Sequence, residues 1–165
     1  MSETVALIAN VSLTLSFVVA LIFGVSQVKA AARDRRERLT LEALRNFQTR
    51  EFAELMYFQT SRGAPQSQEE LAKMPERERV MFTQFAQQME SLGLLVGEGF
   101  IDLDLVDKTL GSLVSNSWRK YEKLFKDMRQ KQNDPFMAEY FQWLAEHIED
   151  RLKNSPRTPY HLRKS

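Results

Sequence analysis

The sequence predicts an all-α protein in which a single N-terminal transmembrane helix precedes a small antiparallel bundle of four or five helices. An uncharged apolar segment occupies residues 5–28, and the apolar residues after it recur at intervals of three or four. No stretch alternates apolar and polar residues as a half-buried strand would. Six Gly and five Pro are spread through 165 residues, so few residues oppose long helices.

The apolar segment, Val5–Val28, carries no charged residue and is flanked by Glu3 and Lys29. A helix of this length, rising about 1.5 Å per residue, crosses a hydrocarbon core of roughly 30 Å with some tilt. The alternative is a cleaved signal peptide, but such a peptide has a basic start and an apolar core of about 7–15 residues. A buried soluble helix is disfavoured because the segment is apolar on every face. We therefore expect an uncleaved anchor over residues 1–29.

Basic residues follow the apolar segment and do not precede it. They begin at Lys29 and continue into a juxtamembrane helix that is predicted over residues 30–48. By the positive-inside rule, this asymmetry places the N-terminus outside and the rest of the chain in the cytoplasm. The same side chains are expected to contact anionic lipid headgroups. They are Lys29, Arg33, Arg35, Arg36 and Arg38.

Small residues recur at every fourth position of the apolar segment, at Ser12, Ser16, Ala20 and Gly24. A stripe of small side chains allows two membrane helices to approach closely. It predicts self-association or docking on another membrane protein. The alternative is that small residues are common in any transmembrane helix, and the sequence favours neither interpretation.

The cytoplasmic helical domain is predicted over residues 49–153. The apolar spacing is interrupted between Phe47 and Phe52, which predicts a break near residues 46–49 and makes Thr49 a candidate N-cap. Ser67 and Glu70 have the capping-box spacing, in which the Glu side chain reaches back to the backbone of the cap residue.

Three more helices are predicted by their apolar stripes. The first runs over residues 76–96 and ends at Gly97 in the C′ position. The second begins at the N-cap Asp102, and Gly111 within it predicts a close helix crossing. The third begins with Asp134 at the N-cap and Pro135 at the first helical position, and residues 154–165 form a flexible basic tail. The expected buried faces comprise Met81, Phe85, Met89, Leu92 and Val96; Leu103, Val106, Leu110, Val114, Trp118, Tyr121, Phe125 and Met128; and Met137, Phe141, Leu144, Ile148 and Leu152.

No motif predicts catalysis or metal binding. The chain has no Cys and two His, which excludes thiolate sites and His-rich sites. Asp102, Asp104 and Asp107 alternate with apolar residues, as a helix N-terminus does and a Ca²⁺-binding loop does not. Residues 93–99 are rich in Gly but lack the Lys-Ser/Thr of a phosphate loop. The net charge of +1 creates no field that attracts nucleic acid. We expect no enzymatic activity, cofactor, metal or nucleic-acid partner.

The segment from Met89 to Trp118, MESLGLLVGEGFIDLDLVDKTLGSLVSNSW, resembles an uncharacterised bacterial family built on a domain of unknown function. Further along the chain, Arg129, Pro135 and the segment 141–146 also fit. The resemblance covers roughly residues 47–152 and the anchor. It implies a bacterial protein with one transmembrane helix and an all-helical cytoplasmic domain, and it implies no activity. The shared positions are Glu90, Gly93, Leu95, Val96, Gly99, Ile101, Asp102, Asp104, Leu105, Val106, Gly111 and Trp118.

These observations predict a single-pass protein of the bacterial inner membrane whose cytoplasmic domain is a protein-interaction or accessory module in a membrane assembly. The expected partners are membrane lipid and either another membrane protein or a second copy of the chain. The alternative function is a membrane-bound sensor or effector that binds a small ligand in the helical bundle. A ligand that binds only the folded state would raise the melting temperature.

Overall fold

The computed structural model describes residues 2–162, which form six α-helices, one short 3₁₀ helix and no strand. The all-α prediction is confirmed, and five helices follow the apolar one. The elements are α1 (Ser2–Asn46), α2 (Arg50–Ser61), α3 (Gln68–Lys73), α4 (Glu76–Gly97), α5 (Leu103–Gln132), α6 (Glu139–Asn154) and the 3₁₀ helix Tyr160–Leu162.

The chain divides into two compact units, Met1–Arg38 and Leu39–Ser165. The second unit is called the helical domain below. The finer boundaries predicted after residues 29, 48 and 153 stay predictions, and the last three residues of the predicted tail, 163–165, lie outside the described residues.

Three of the four predicted N-caps are confirmed. Thr49, Ser67 and Asp102 precede α2, α3 and α5, and each accepts hydrogen bonds from backbone N–H groups of the first helical turn. One detail differs from the predicted capping box. The carboxylate of Glu70 accepts from the backbone N–H of Gln66 at 2.8 Å, one residue before the cap.

α4 ends one residue later than predicted, and its C′ position is displaced by two residues. Gly97 was expected at C′, but it is the last residue of the helix. The left-handed conformation belongs instead to Gly99, with φ of 74°. This conformation lets Gly99 and Phe100 donate hydrogen bonds to carbonyl groups of the last turn, and Gly adopts it at little cost.

The predicted start of the last helix is wrong. Asp134 accepts a hydrogen bond from the N–H of Phe136 at 3.0 Å, which stabilises a turn over residues 135–138 in place of a helical start. α6 begins only at Glu139. The residue before it, Ala138, has a positive φ of 56° and no side chain that could cap the helix.

The core of the helical domain is formed by the predicted stripes of α4, α5 and α6. Trp118 is buried and stacks on Phe125, with 5.6 Å between ring centroids. Phe141 of α6 packs edge-on against Trp118. Burial raises the pKa of the neighbouring Tyr121 to about 12. Leu152 is an exception to the predicted face, because 58% of it is exposed.

α2 and α3 are held on α5 by polar contacts. The ammonium group of Lys120 donates to the carbonyl groups of Gln59 and Arg62 at the C-terminal end of α2, and desolvation lowers its pKa. The carboxylate of Asp127 accepts from the backbone N–H of Gln68 at 2.7 Å. These side chains form hydrogen bonds with backbone groups at the helix ends, which have no partner within the helix.

Candidate membrane helix and polar sites of the helical domain

The apolar part of α1 is exposed along its whole length. Its large apolar side chains range from 44% exposed at Val19 to 72% exposed at Leu13. An 18-residue window has a mean hydropathy of 2.4 and no buried residue. α1 is therefore long enough and apolar enough to cross a membrane, a property that a signal sequence shares.

The predicted small-residue stripe lies on this exposed helix. The hydroxyl group of Ser16 donates to the carbonyl group of Ser12 at 2.8 Å, so it is satisfied within the helix. A Cβ atom added at Gly24 would meet no atom within 4 Å. The surface along Ser12, Ser16, Ala20 and Gly24 is open, and its association with another helix stays a prediction.

The five basic residues of the predicted headgroup contact, Lys29, Arg33, Arg35, Arg36 and Arg38, are all exposed. At about 100° per residue, Lys29, Arg33 and Arg36 share one face of α1. Arg35 and Arg38 lie on another. Exposed cations at the end of an apolar helix can reach anionic groups, and this contact also stays a prediction.

A carboxylate of α4 caps the N-terminus of α6. The two oxygens of Glu90 accept from the N–H groups of Tyr140, at 3.2 Å, and Phe141, at 2.8 Å. Both donors belong to the first turn of α6 and have no partner within the helix. Because Ala138 cannot cap, Glu90 supplies the acceptors and a negative charge from a different helix.

Gly93 lies one turn after Glu90 and allows α6 to approach α4. A Cβ atom added there would lie 2.2 Å from the carbonyl oxygen of Tyr140 and 2.5 Å from its carbonyl carbon. Only a residue without a side chain fits this contact. Glu90 and Gly93 together place the N-terminus of α6 against α4.

Asp107 forms a second polar site, between α5 and the segment after α6. It is 7% exposed. The guanidinium group of Arg157 donates to its backbone carbonyl at 3.1 Å and to Oδ1 at 3.3 Å. Arg151 Nε lies 3.7 Å from Oδ2. A Cβ atom added at Gly111 would lie 2.5 Å from Oδ1 of Asp107 and 3.4 Å from Ile148 of α6. Gly111 therefore leaves room for the Asp107 carboxylate, and the predicted close helix crossing stays a prediction.

The aspartates near the start of α5, Asp102, Asp104 and Asp107, have partners within the protein. Asp102 caps α5, and Asp104 pairs with Lys108 and Arg151. The hydrogen bond from Lys108 lowers the pKa of Asp104. Across residues 2–162, no group of three or more His, Asp or Glu side chains is placed to hold a metal ion.

A pocket of about 500 Å³ lies between residues 43–49, the start of α2 and the middle of α4. Its lining includes the amide side chains of Asn46, Gln84, Gln87 and Gln88 and the carboxylate of Glu51. Amides donate and accept hydrogen bonds, so the lining suits a ligand with polar groups. These residues form no motif in the sequence that would predict a site.

A family model described as DUF4760, a domain of unknown function, matches residues 10–148 of the chain. The match confirms the resemblance to an uncharacterised family that residues 89–118 predicted. No curated protein and no solved structure shows significant similarity to the chain.

Proposed function

The chain belongs to the DUF4760 family, and on this premise we propose that it is a single-pass membrane protein anchored by residues 5–28. The observation that carries the proposal is the exposure of every large apolar side chain in that segment. The family match begins at residue 10, within the apolar segment, and continues through most of the helical domain. Because the family shares the apolar segment together with the domain, the match favours an anchor that stays attached to the domain. It disfavours a signal peptide that is removed.

The proposed orientation has the N-terminus outside and the helical domain in the cytoplasm, at the bacterial inner membrane. It is supported by the exposed cations over residues 29–38, which follow the apolar segment and have no counterpart before it. Lys and Arg near the end of a transmembrane helix favour the cytoplasmic side. In this position they contact anionic headgroups.

The helical domain acts as a non-enzymatic protein-interaction or accessory module in a membrane assembly. Several of its large apolar side chains are exposed, among them Tyr57 (75%), Val80 (50%), Phe100 (56%) and Phe136 (68%). Exposed aromatic residues are enriched at protein interfaces, because they bury a large area when a partner binds. The small-residue stripe of α1 provides a second contact, within the membrane.

Extraction in mild detergent from cells that express the protein at its native level tests this function. We expect the extracted particle to have a protein mass above that of one chain, owing to a second copy or a co-purifying membrane protein. The mass of the protein component, measured by light scattering, distinguishes a second copy of the chain from a different co-purifying protein. A single chain without a co-purifying protein would contradict the interaction role.

The contribution of the stripe is tested by Gly24→Leu, which adds a large side chain to its open surface. We expect the dissociation constant to rise about 10-fold, because the added side chain disrupts the packing of the two helices. Val18→Leu, which adds one methylene on the opposite face of α1, is the matched control and should leave the association unchanged. Equal effects of the two substitutions on the measured dissociation constant would rule out the stripe.

The second candidate function is a membrane-bound sensor or effector that binds a small ligand in the helical domain. The pocket beside Glu51 and Gln88 supports it. Its volume of about 500 Å³ lies within the range of about 300–1,000 Å³ that is usual for small-molecule sites. A screen for ligands that raise the melting temperature tests this function independently of any partner protein.

A further inference from the structure

We infer that the pocket beside Glu51 and Gln88 binds an organic amine, with its protonated amino group among the polar side chains and an apolar body on the floor. This site goes beyond the proposed interaction role, and it does not require a partner protein. Three features of the pocket carry the inference: its charge, an acceptor without a donor, and its apolar floor.

The charge of the lining favours a cation. Glu51 is the one charged residue among the described residues that line the pocket, and its carboxylate forms no ion pair with residues 2–162. No Lys or Arg of this part of the chain faces it across the pocket. An anionic ligand would therefore be placed beside a carboxylate without compensation, whereas an ammonium group would form a charge-assisted hydrogen bond.

Gln88 adds an acceptor that lacks a donor. Its Oε1 atom is buried, and no group in the described part of the chain donates to it. Buried polar atoms are nearly always hydrogen-bonded, so this oxygen lacks a partner, and a rotation of the Gln88 side chain towards the pocket would present it to a ligand. An ammonium group has three donors and no acceptor, which matches one carboxylate, one amide oxygen and the hydroxyl group of Ser91 or Thr49.

The floor of the pocket favours an organic body over an inorganic ion. Phe47, Leu55, Leu92 and Leu95 line it, and of these Phe47 and Leu95 are only partly buried. An apolar ring or chain removes this surface from water. A hydrated metal ion would leave it uncovered.

The full-length chain in detergent is titrated with benzylamine, benzyl alcohol and benzoate. The comparison distinguishes the contribution of the ligand's charge from that of its apolar ring. The three probes share a ring and differ in the polar group. Binding is followed through the side-chain amide NMR signal of Gln84, which lines the pocket and is present in every variant tested. We expect benzylamine to shift this signal with millimolar affinity, as small ligands do, and the alcohol and the carboxylate to bind more weakly.

Two variants locate the site. Glu51→Gln removes the charge from an exposed position, and Gln88→Leu removes the acceptor; each is expected to weaken benzylamine binding about 10-fold. Glu98→Gln is the control, since Glu98 carries an exposed carboxylate at the end of α4, outside the pocket. This variant should bind benzylamine as the wild type does. Failure of benzylamine to bind, equal binding of benzoate, or unchanged binding by Glu51→Gln would each overturn the inference.

Discussion

Replacement of Gly93 by Ala is expected to reduce the free energy of unfolding of the helical domain by about 3 kcal/mol. The added Cβ atom would lie 2.2 Å from the carbonyl oxygen of Tyr140, well inside van der Waals contact. The atoms it meets belong to the backbone of α6 and cannot rotate away. α6 must therefore move from α4, which loosens the packing of Phe141 and the core around it. Denaturant unfolding followed by circular dichroism measures the change.

Gly97→Ala is the matched control, since it lies one turn further along α4 and faces the same helix. Its Cβ atom would lie 3.6 Å from Trp143 and Tyr140, an ordinary contact distance. Ala is favoured over Gly within a helix by up to about 1 kcal/mol, so this variant should be neutral or more stable. Equal destabilisation by the two substitutions would contradict the close approach at Gly93.

Glu90→Ala is expected to lower the free energy of unfolding by about 2 kcal/mol, because two N–H groups of α6 lose a charged acceptor. Glu90→Gln retains one acceptor oxygen and should lose about half as much. Gln87→Ala is the control, since Gln87 is exposed one turn earlier on the same helix. It should change stability by less than about 0.5 kcal/mol.

Amide hydrogen exchange distinguishes capping from a general loss of packing. In Glu90→Ala, exchange at Tyr140 and Phe141 should accelerate more than exchange in the middle of α5, because the first turn of α6 opens locally. Uniform acceleration throughout the domain would show that Glu90 does not act as the cap.

Features that depend on neighbouring residues could be predicted from the sequence. The apolar stripes of α4 and α5 identify the core because a helical period is read within one element. Thr49, Ser67 and Asp102 identify helix starts because a cap binds N–H groups two or three residues away. Asp134-Pro135 has the same local pattern, but there the chain forms a turn instead.

Features that depend on distant residues could not be predicted in this way. Glu90 and Tyr140 are separated by 50 positions, and the resemblance marked Glu90 and Gly93 without giving them a role. Thr40 is a further example. It is fully buried, and its hydroxyl accepts from the N–H of Asp102 at 2.8 Å, although it lies in a polar stretch of α1. The pocket combines residues from three elements, none of which forms a motif by itself.

The retention of residues 5–28 as a membrane anchor is the central claim, and the intact mass of the protein recovered from washed membranes tests it most directly. Membranes are washed with alkaline carbonate, which removes peripheral proteins, and the chain is then extracted and weighed by mass spectrometry. We expect the chain to stay in the membrane fraction with its apolar segment attached. A chain that has lost the residues before about Ala30, recovered in the soluble fraction as a cleaved signal peptide would leave it, would contradict the claim.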